Sequence, residues 1–303
     1  MAAAPSTDPP RQTIVTLRAQ DEVDAVFACT RKERALTRSG SPYLNLELRD
    51  STGAIRAKAF RDADALAGRF ERGELVRVGG TVQRFRDELQ IEVEEISRAE
   101  GAEADPRRFL PTAYRDLDEL DGFLEHLVRE VYDPGLRALL DAILADAGLR
   151  AQIRTAPCTP PAAGGARGAS SHHAYLGGLL EHTVAVATLA LELCTLYPRL
   201  DRDLLLSAAI VHDLGKTGEF TYGVEVGRTP AGAMLGHVEL GLRLIAAKAP
   251  ASLAPERRLA LEHCVLMHHG GEGQRFASAE AVALQRLNAL DAGVKAAFEQ
   301  PVR

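Results

Sequence analysis

The sequence predicts a two-domain chain, a small five-stranded β-barrel followed by an all-α helical bundle, and three observations carry that reading. Apolar and polar residues alternate with period 2 from Glu22 to Ala99; a polar stretch containing Gly and Pro spans residues 100–110; from Leu117 onward the apolar spacing is helical. The length of 303 residues suits two domains of ordinary size. With 46% hydrophobic and 26% charged residues, the composition excludes a disordered, collagenous or coiled-coil chain.

Residues 1–12, with Pro5, Pro9 and Pro10, read as a disordered leader to a domain at 13–99. In Tyr43-Leu44-Asn45-Leu46-Glu47-Leu48 the leucines share one strand face, and Ile55, Ala57 and Ala59 do the same in the next strand. Asp50-Ser51-Thr52-Gly53 between them is turn chemistry, which makes the pair a hairpin. A short helical stretch, Asp62 to Phe70, precedes two further strands, Val76–Val82 and Leu89–Glu94. Five strands with a helix between the third and fourth is the layout of an OB-fold barrel. Arg56, Lys58 and Phe60 share a face with Tyr43 and Asn45, and Arg84, Phe85 and Arg86 repeat the combination in the loop before the last strand. Cations interleaved with aromatics suit base stacking and backbone tracking on single-stranded RNA or DNA. Arg31, Lys32, Arg34 and Arg38 add an electrostatic rim. Residues 11–100 hold 16 basic and 16 acidic side chains, and the whole chain 36 against 42 for a net charge of −6. Nucleic-acid contact therefore rests on a local patch and not on bulk charge.

Beyond the linker at 100–110, the segment 111–303 is read as all α. Leu117, Leu120, Phe123, Leu124 and Leu127 make one amphipathic face; Leu136, Leu139, Leu140, Ile143 and Leu144 make the next. An Ala-, Gly- and Pro-rich stretch, Ala156 to Ala169, separates these from helical patterns at 176–196, 204–211, 234–249, 259–267 and 279–298. The longest apolar runs, Leu204–Leu206 and Ala208–Val211, are too short to cross a bilayer. The N-terminus lacks the basic and apolar blocks of a signal peptide, and four scattered cysteines without CxxC read as reduced thiols. A cytoplasmic protein with no membrane segment is expected.

Eight of the nine histidines fall between His172 and His269. Imidazole is the usual nitrogen ligand of divalent metals, and apolar helices rarely carry so many without one. His182 lies in an amphipathic helix, His212-Asp213 closes another, His237 follows Gly236 at a helix start, and His268-His269 ends a helix before Gly270-Gly271. Adjacent residues on a helix point about 100° apart, so His212 and Asp213 reach one ion only at a helix end or between helices. A carboxylate beside an imidazole suits a water-carrying Mn or Fe pair better than a closed zinc site. His126 and His263 read as packing or helix-end residues.

The residues 172–183 (HHAYLGGLLEHT), 212–216 (HDLGK), Gly236-His237 and His268-His269-Gly270, behind an OB-fold, resemble the YhaM-type 3′→5′ exoribonucleases of the HD-domain metallophosphohydrolase superfamily. The resemblance covers nearly the whole chain from about residue 20. It implies a metal-dependent phosphodiesterase that removes nucleoside monophosphates from the 3′ end of single-stranded RNA, or of DNA. It further implies two divalent ions, Mn²⁺ first, with Fe, Co or Mg as alternatives. His182, His212 and a bridging Asp213 would hold one ion; His237 with His268 or His269 would hold the other. On the same resemblance Lys216 faces the transition-state phosphate, His172 and His173 touch substrate, and assembly into homo-oligomers is implied. Gly177-Gly178 reads as close helix packing. The family's terminal ligand Asp falls here on Asn288, a weaker neutral ligand, with Asp291 one helical turn on as a substitute. Two other functions fit the same residues: another HD-type nucleotide or cyclic-nucleotide phosphohydrolase, and a nucleic-acid-binding protein whose metal site is weakened at Asn288.

Overall fold

The computed structural model describes residues 12–37, 39–160, 172–222, 224, 226–270 and 275–299. The expected leader (residues 1–11), Arg38, residues 161–169 of the Ala/Gly/Pro stretch and Gly271 lie outside these. The chain forms two compact units, Met1–Pro111 with Tyr222–Glu225, and Thr112–Thr221 with Val226–Arg303.

In the first unit five strands, β1 (Glu22–Leu36), β2 (Pro42–Asp50), β3 (Gly53–Ala59), β4 (Leu75–Phe85) and β5 (Glu88–Arg98), close a barrel in the order β1-β2-β3-β5-β4. Only β3 and β5 pair in parallel. A bulge between Cys29 and Arg31 bends β1, so that its first half pairs with β4 and its second with β2. Phe27, Leu44, Leu46, Leu48, Val76 and Ile91 fill the interior and are essentially inaccessible. Asp50 closes the β2–β3 hairpin as its composition predicts: Oδ1 accepts from the Thr52 and Gly53 amides at 2.7 and 3.0 Å. The helix α1 (Ala63–Ala67) sits between β3 and β4.

Three details depart from expectation. Gln12, assigned to the leader, donates to the Glu22 carbonyl at 2.6 Å and is tied to β1. The end of the linker is not solvent-exposed, because Phe109 is buried against Val26, Ala28 and Leu75. Lys32, expected on the cationic rim, donates to the carbonyls of Ala67 and Phe70 and so caps the turn after α1.

The second unit is helical: α2 (Leu117–Arg129), α3 (Pro134–Ala145), α4 (Ala147–Thr155), α5 (Gly178–Leu196), α6 (Arg202–Val211), α7 (Lys216–Glu219), α8 (Pro230–Lys248), α9 (Pro255–Met267) and α10 (Ala279–Glu299). One short hairpin, β6 (Phe220–Tyr222) with β7 (Val226–Arg228), interrupts what sequence periodicity reads as all α. Leu120, Leu136, Leu180, Leu205 and Leu261 belong to the common core. Phe123, placed on that face by spacing, is 43% exposed with the Arg115 guanidinium over its ring. By length and composition α5 is apolar enough to cross a membrane, which no unbroken apolar run indicates. Here it is the central packed helix and carries buried Glu181 and His182.

Candidate functional site

The helical unit brings together the ends of α5, α6, α8 and α9, and each contributes imidazole or carboxylate to one centre. His182 comes from the first turns of α5, whose start fits against the preceding chain because a Cβ at Gly178 would overlap the His173 carbonyl. His212 caps α6, and Asp213 follows it into the turn that leads to α7. α8 bends at Gly236, with φ 71° and ψ 168°, a conformation open to glycine, so His237 begins its second half. Gly215 admits that half closely, since a Cβ there would overlap the His237 carbonyl oxygen. His268 caps α9.

Four imidazoles point the same way. His212 Nδ1 donates to the Ala209 carbonyl at 2.9 Å and His268 Nδ1 to the Val265 carbonyl at 2.5 Å. His182 Nδ1 faces the Asp291 carboxylate at 2.6 Å, and His237 Nδ1 faces Glu219 at 3.2 Å. Carbonyls and carboxylates accept only, so the proton of each ring sits on Nδ1 and a lone pair on Nε2 is presented inward. The inward atoms surround Asp213. Its Oδ2 lies 3.5 and 3.3 Å from Nε2 of His182 and His212, and its Oδ1 lies 3.5 Å from Nε2 of both His237 and His268.

The electrostatics are those of a cation site. Nε2 of His182 and His212 are 3.2 Å apart, two lone pairs facing each other with no proton between them. Asp213 Oδ1 and His268 Nε2 are buried without a hydrogen-bond partner. Burial pushes His182 down to about 4, so it is neutral at pH 7. Burial opposes ionisation of Asp213, yet the Lys216 ammonium beside it holds its carboxyl well below the usual range. Bond lengths of about 2.0–2.1 Å at tetrahedral angles set ligand–ligand distances of roughly 3.3 Å. The triangle of His182, His212 and Asp213 Oδ2, with edges of 3.2, 3.3 and 3.5 Å, matches that spacing. A second group, Asp213, His237, His268 and His269, converges on the other carboxylate oxygen.

Lys216 is buried and donates to Asp213 Oδ2 at 2.6 Å and to Cys158 Sγ at 3.2 Å. His269 Nε2 lies 2.8 Å from His237 Nε2. Three residues stand elsewhere than their sequence roles suggest. His173, expected to touch substrate, is 2% exposed, and Tyr175 and Asp291 occupy its two nitrogens at 2.9 and 3.0 Å. Asp291, expected as a substitute ligand, stands behind His182 on the Nδ1 side. Asn288 is buried and donates its amide to the His268 carbonyl at 3.4 Å. His172 remains at the centre, its Nε2 3.5 Å from Cys158 Sγ. Sequence reasoning missed Cys158 and Glu219. The spacing of Cys158 from the histidines carries no pattern, whereas Glu219, three residues after Lys216 on a short apolar-flanked turn, is a polar residue that asks for a partner.

On the barrel, Tyr43 and Phe60 stack with centroids 5.4 Å apart, and Lys58 lies over Tyr43 and Phe85 at 5.8 and 5.2 Å. Arg86 covers Phe85 at 5.4 Å from the two-residue turn it forms with Asp87, both at positive φ. Phe60 is 43% and Phe85 51% exposed, apolar rings held open to solvent. Arg84 and Phe85 end β4 instead of lying in the loop expected for them; Arg84 is exposed, while Arg56 pairs with Glu88 at 3.0 Å.

Residues 28–99 match the family model of the OB-fold nucleic acid binding domain, and residues 179–293 match that of the HD domain. The chain thus joins an OB-fold domain to an HD domain. The 3′-5′ exoribonuclease YhaM of Bacillus velezensis is 29% identical over 252 residues, covering 82% of this chain and 77% of its own. That of Shouchella clausii is 29% identical over 287 residues, covering 91% and 85%. Among solved structures, the second OB-fold domain of replication protein A from Methanococcus maripaludis aligns with 31% of the chain and 98% of its own, at 20% identity and a TM-score of 0.25. HD domains are metal-dependent hydrolases, and the HD domain here contains two groups able to hold metal that share Asp213.

Proposed function

We propose that the protein is a divalent-metal-dependent 3′→5′ exoribonuclease acting on single strands, with the HD centre as its hydrolytic site and the OB-fold as its strand-binding surface. The observation that carries this reading is the ring of four imidazoles whose Nε2 lone pairs converge on the two oxygens of Asp213. Direction and substrate class come from the YhaM relatives, similar over more than three quarters of both chains.

Divalent ions in these groups, Mn²⁺ first among the candidates, would supply Lewis acidity to activate water and to stabilise the leaving 3′-oxygen. The chain's own residues hold the geometry. Asp213 ties the two halves together, while Asp291 and Glu219 fix the rings of His182 and His237. Lys216 adds a buried positive charge that stabilises the carboxylate of Asp213 and raises the field felt by an incoming phosphodiester. His172 and His269 border the centre and are the candidates for substrate contact. On the barrel, Tyr43, Phe60 and Phe85 offer stacking faces, with Lys58, Arg84 and Arg86 for the phosphates.

A 5′-labelled single-stranded RNA incubated with Mn²⁺ tests the reading. A ladder shortening from the 3′ end, abolished by EDTA and by the His212→Ala/Asp213→Ala double variant, is the expected result. An RNA that is bound but left intact at every metal concentration refutes it. Activity unaffected by removal of residues 1–100 points instead to a small-nucleotide phosphohydrolase.

A further inference from the structure

Behind the HD centre lies a set of buried polar groups that the hydrolytic reading does not use. His173, almost inaccessible, stands between Asp291 on α10 and Glu181 on α5. Its Nε2 meets Asp291 Oδ2 at 3.0 Å, and the same oxygen receives His182 Nδ1 at 2.6 Å. On the other side, Nδ1 meets the Tyr175 hydroxyl at 2.9 Å and Glu181 Oε2 at 3.4 Å. The Tyr175 hydroxyl donates its single proton to Glu181 Oε2 at 2.5 Å, so it offers His173 only a lone pair. Both nitrogens of His173 therefore donate, and the ring is an imidazolium between two carboxylates, the pairing that a buried charge needs. Its main chain is held as firmly: φ is 49°, and the Cys158 amide donates to its carbonyl at 3.0 Å.

We infer that His173 is a positioning residue for His182: it braces Asp291 Oδ2 where that oxygen meets His182 Nδ1, and so fixes the direction of His182 Nε2 toward Asp213. The inference rests on the two-metal reading above and adds a further tier to it. A metal-binding imidazole is oriented by the carboxylate on its far nitrogen, and that carboxylate is in turn held by hydrogen bonds of its own. With His182 alone as partner, the Asp291 carboxylate could pivot about one hydrogen bond; a second donor on the same oxygen stops it. The other half of the centre is built alike, since Glu219 behind His237 has Arg228 as its second partner at 3.5 Å. The same chain of contacts accounts for Glu181, a buried carboxylate one residue before a candidate ligand, whose charge is spent on His173 and Tyr175.

Mn²⁺ titration of the full chain, with the free ion followed by electron paramagnetic resonance, tests this without reference to activity. The wild type should hold two ions per chain. His173→Asn suits the left-handed backbone, keeps a polar group where Nδ1 stands and removes the donor to Asp291. It should weaken one of the two ions by roughly 10-fold, the low end for loss of an outer partner, and leave the other unchanged. His173→Gln, whose amide nitrogen reaches the Nε2 position, should bind that ion more tightly than His173→Asn, a rescue that lost packing alone would not produce. The double variant His173→Asn/Asp291→Asn should bind no more weakly than Asp291→Asn, because the two residues act through one contact. Tyr175→Phe keeps the ring and loosens the opposite end of the brace, so it should weaken the same ion by a smaller factor whether or not His173→Asn folds. Wild-type binding in both His173→Asn and Tyr175→Phe, equal weakening in the Asn and Gln variants, or additive losses in the double variant overturn the inference and leave the two-metal reading standing. A wild type that binds no Mn²⁺ overturns both.

Discussion

Replacing Asp291 by Asn separates a ligand from a residue that positions one. In the structure Asp291 Oδ2 receives His182 Nδ1 at 2.6 Å and His173 Nε2 at 3.0 Å, on the side of His182 away from Asp213. Both rings meet the same oxygen, so an amide oxygen in its place keeps the shape and the two acceptor contacts but loses the charge that strengthens them. Hydrogen bonds to a charged group contribute about 1.5–3 kcal/mol, and removal of an outer carboxylate weakens metal binding by roughly 10–100-fold, which is the same range in energy. The Mn²⁺ concentration giving half-maximal cleavage of a single-stranded RNA should therefore rise about 10–100-fold in Asp291→Asn. The rate at saturating Mn²⁺ should return to near the wild-type value, since the inward ligand set is intact. An unchanged midpoint would refute the link between Asp291 and His182. A rate that no metal concentration restores would make Asp291 itself a ligand.

Three further outcomes follow from the same structure. Phe60→Ala and Phe85→Ala should each weaken single-stranded RNA binding by about 1–3 kcal/mol in fluorescence anisotropy. Both rings are largely exposed, so the melting temperature should not move; an unchanged affinity would remove them from the interface. Gly215→Ala forces a methyl into the His237 carbonyl, which should cost roughly 1–3 kcal/mol of stability and lower metal stoichiometry by displacing His237. A full metal complement in that variant would contradict the packing argument. The metal-free protein should lose stability as pH falls from 7 to 4. His182 is pushed down to about 4, so through the window from its ordinary value of about 6.5 the unfolded chain binds the proton first. Below that, Asp213 and Asp291, both held low in the fold, extend the loss; His173, pushed up, opposes it only in part. A melting temperature flat across this range would contradict these environments.

How much of this was legible in the sequence depends on the range of the interaction. The barrel strands follow from period-2 alternation and the Asp50–Gly53 turn, which are local, and the helices from their apolar spacing. The ligand-bearing positions are equally local, since each of His182, His212-Asp213, His237 and His268 sits at a helix start or end. What pairs across the fold was not legible. His173 and His172 are neighbours, yet His173, at a positive φ of 49°, is buried in the core. Asp291 lies on the helical face expected of a ligand, and the packing of α10 on α5 sets it against His182 Nδ1 and His173, on the far side of His182 from Asp213. Lys32 carries the same charge as the rim arginines and spends it on two backbone carbonyls. Cys158 sits in a stretch with no periodicity, and only the folded chain places it against Asp213.

The central claim is that Asp213 joins two cation sites walled by inward-facing imidazoles. Crystals of the protein equilibrated with Mn²⁺ and measured for anomalous scattering test it most directly. Two peaks are predicted, one between His182, His212 and Asp213 Oδ2, the other between Asp213 Oδ1, His237 and His268. A single peak, or peaks away from Asp213, would contradict the account.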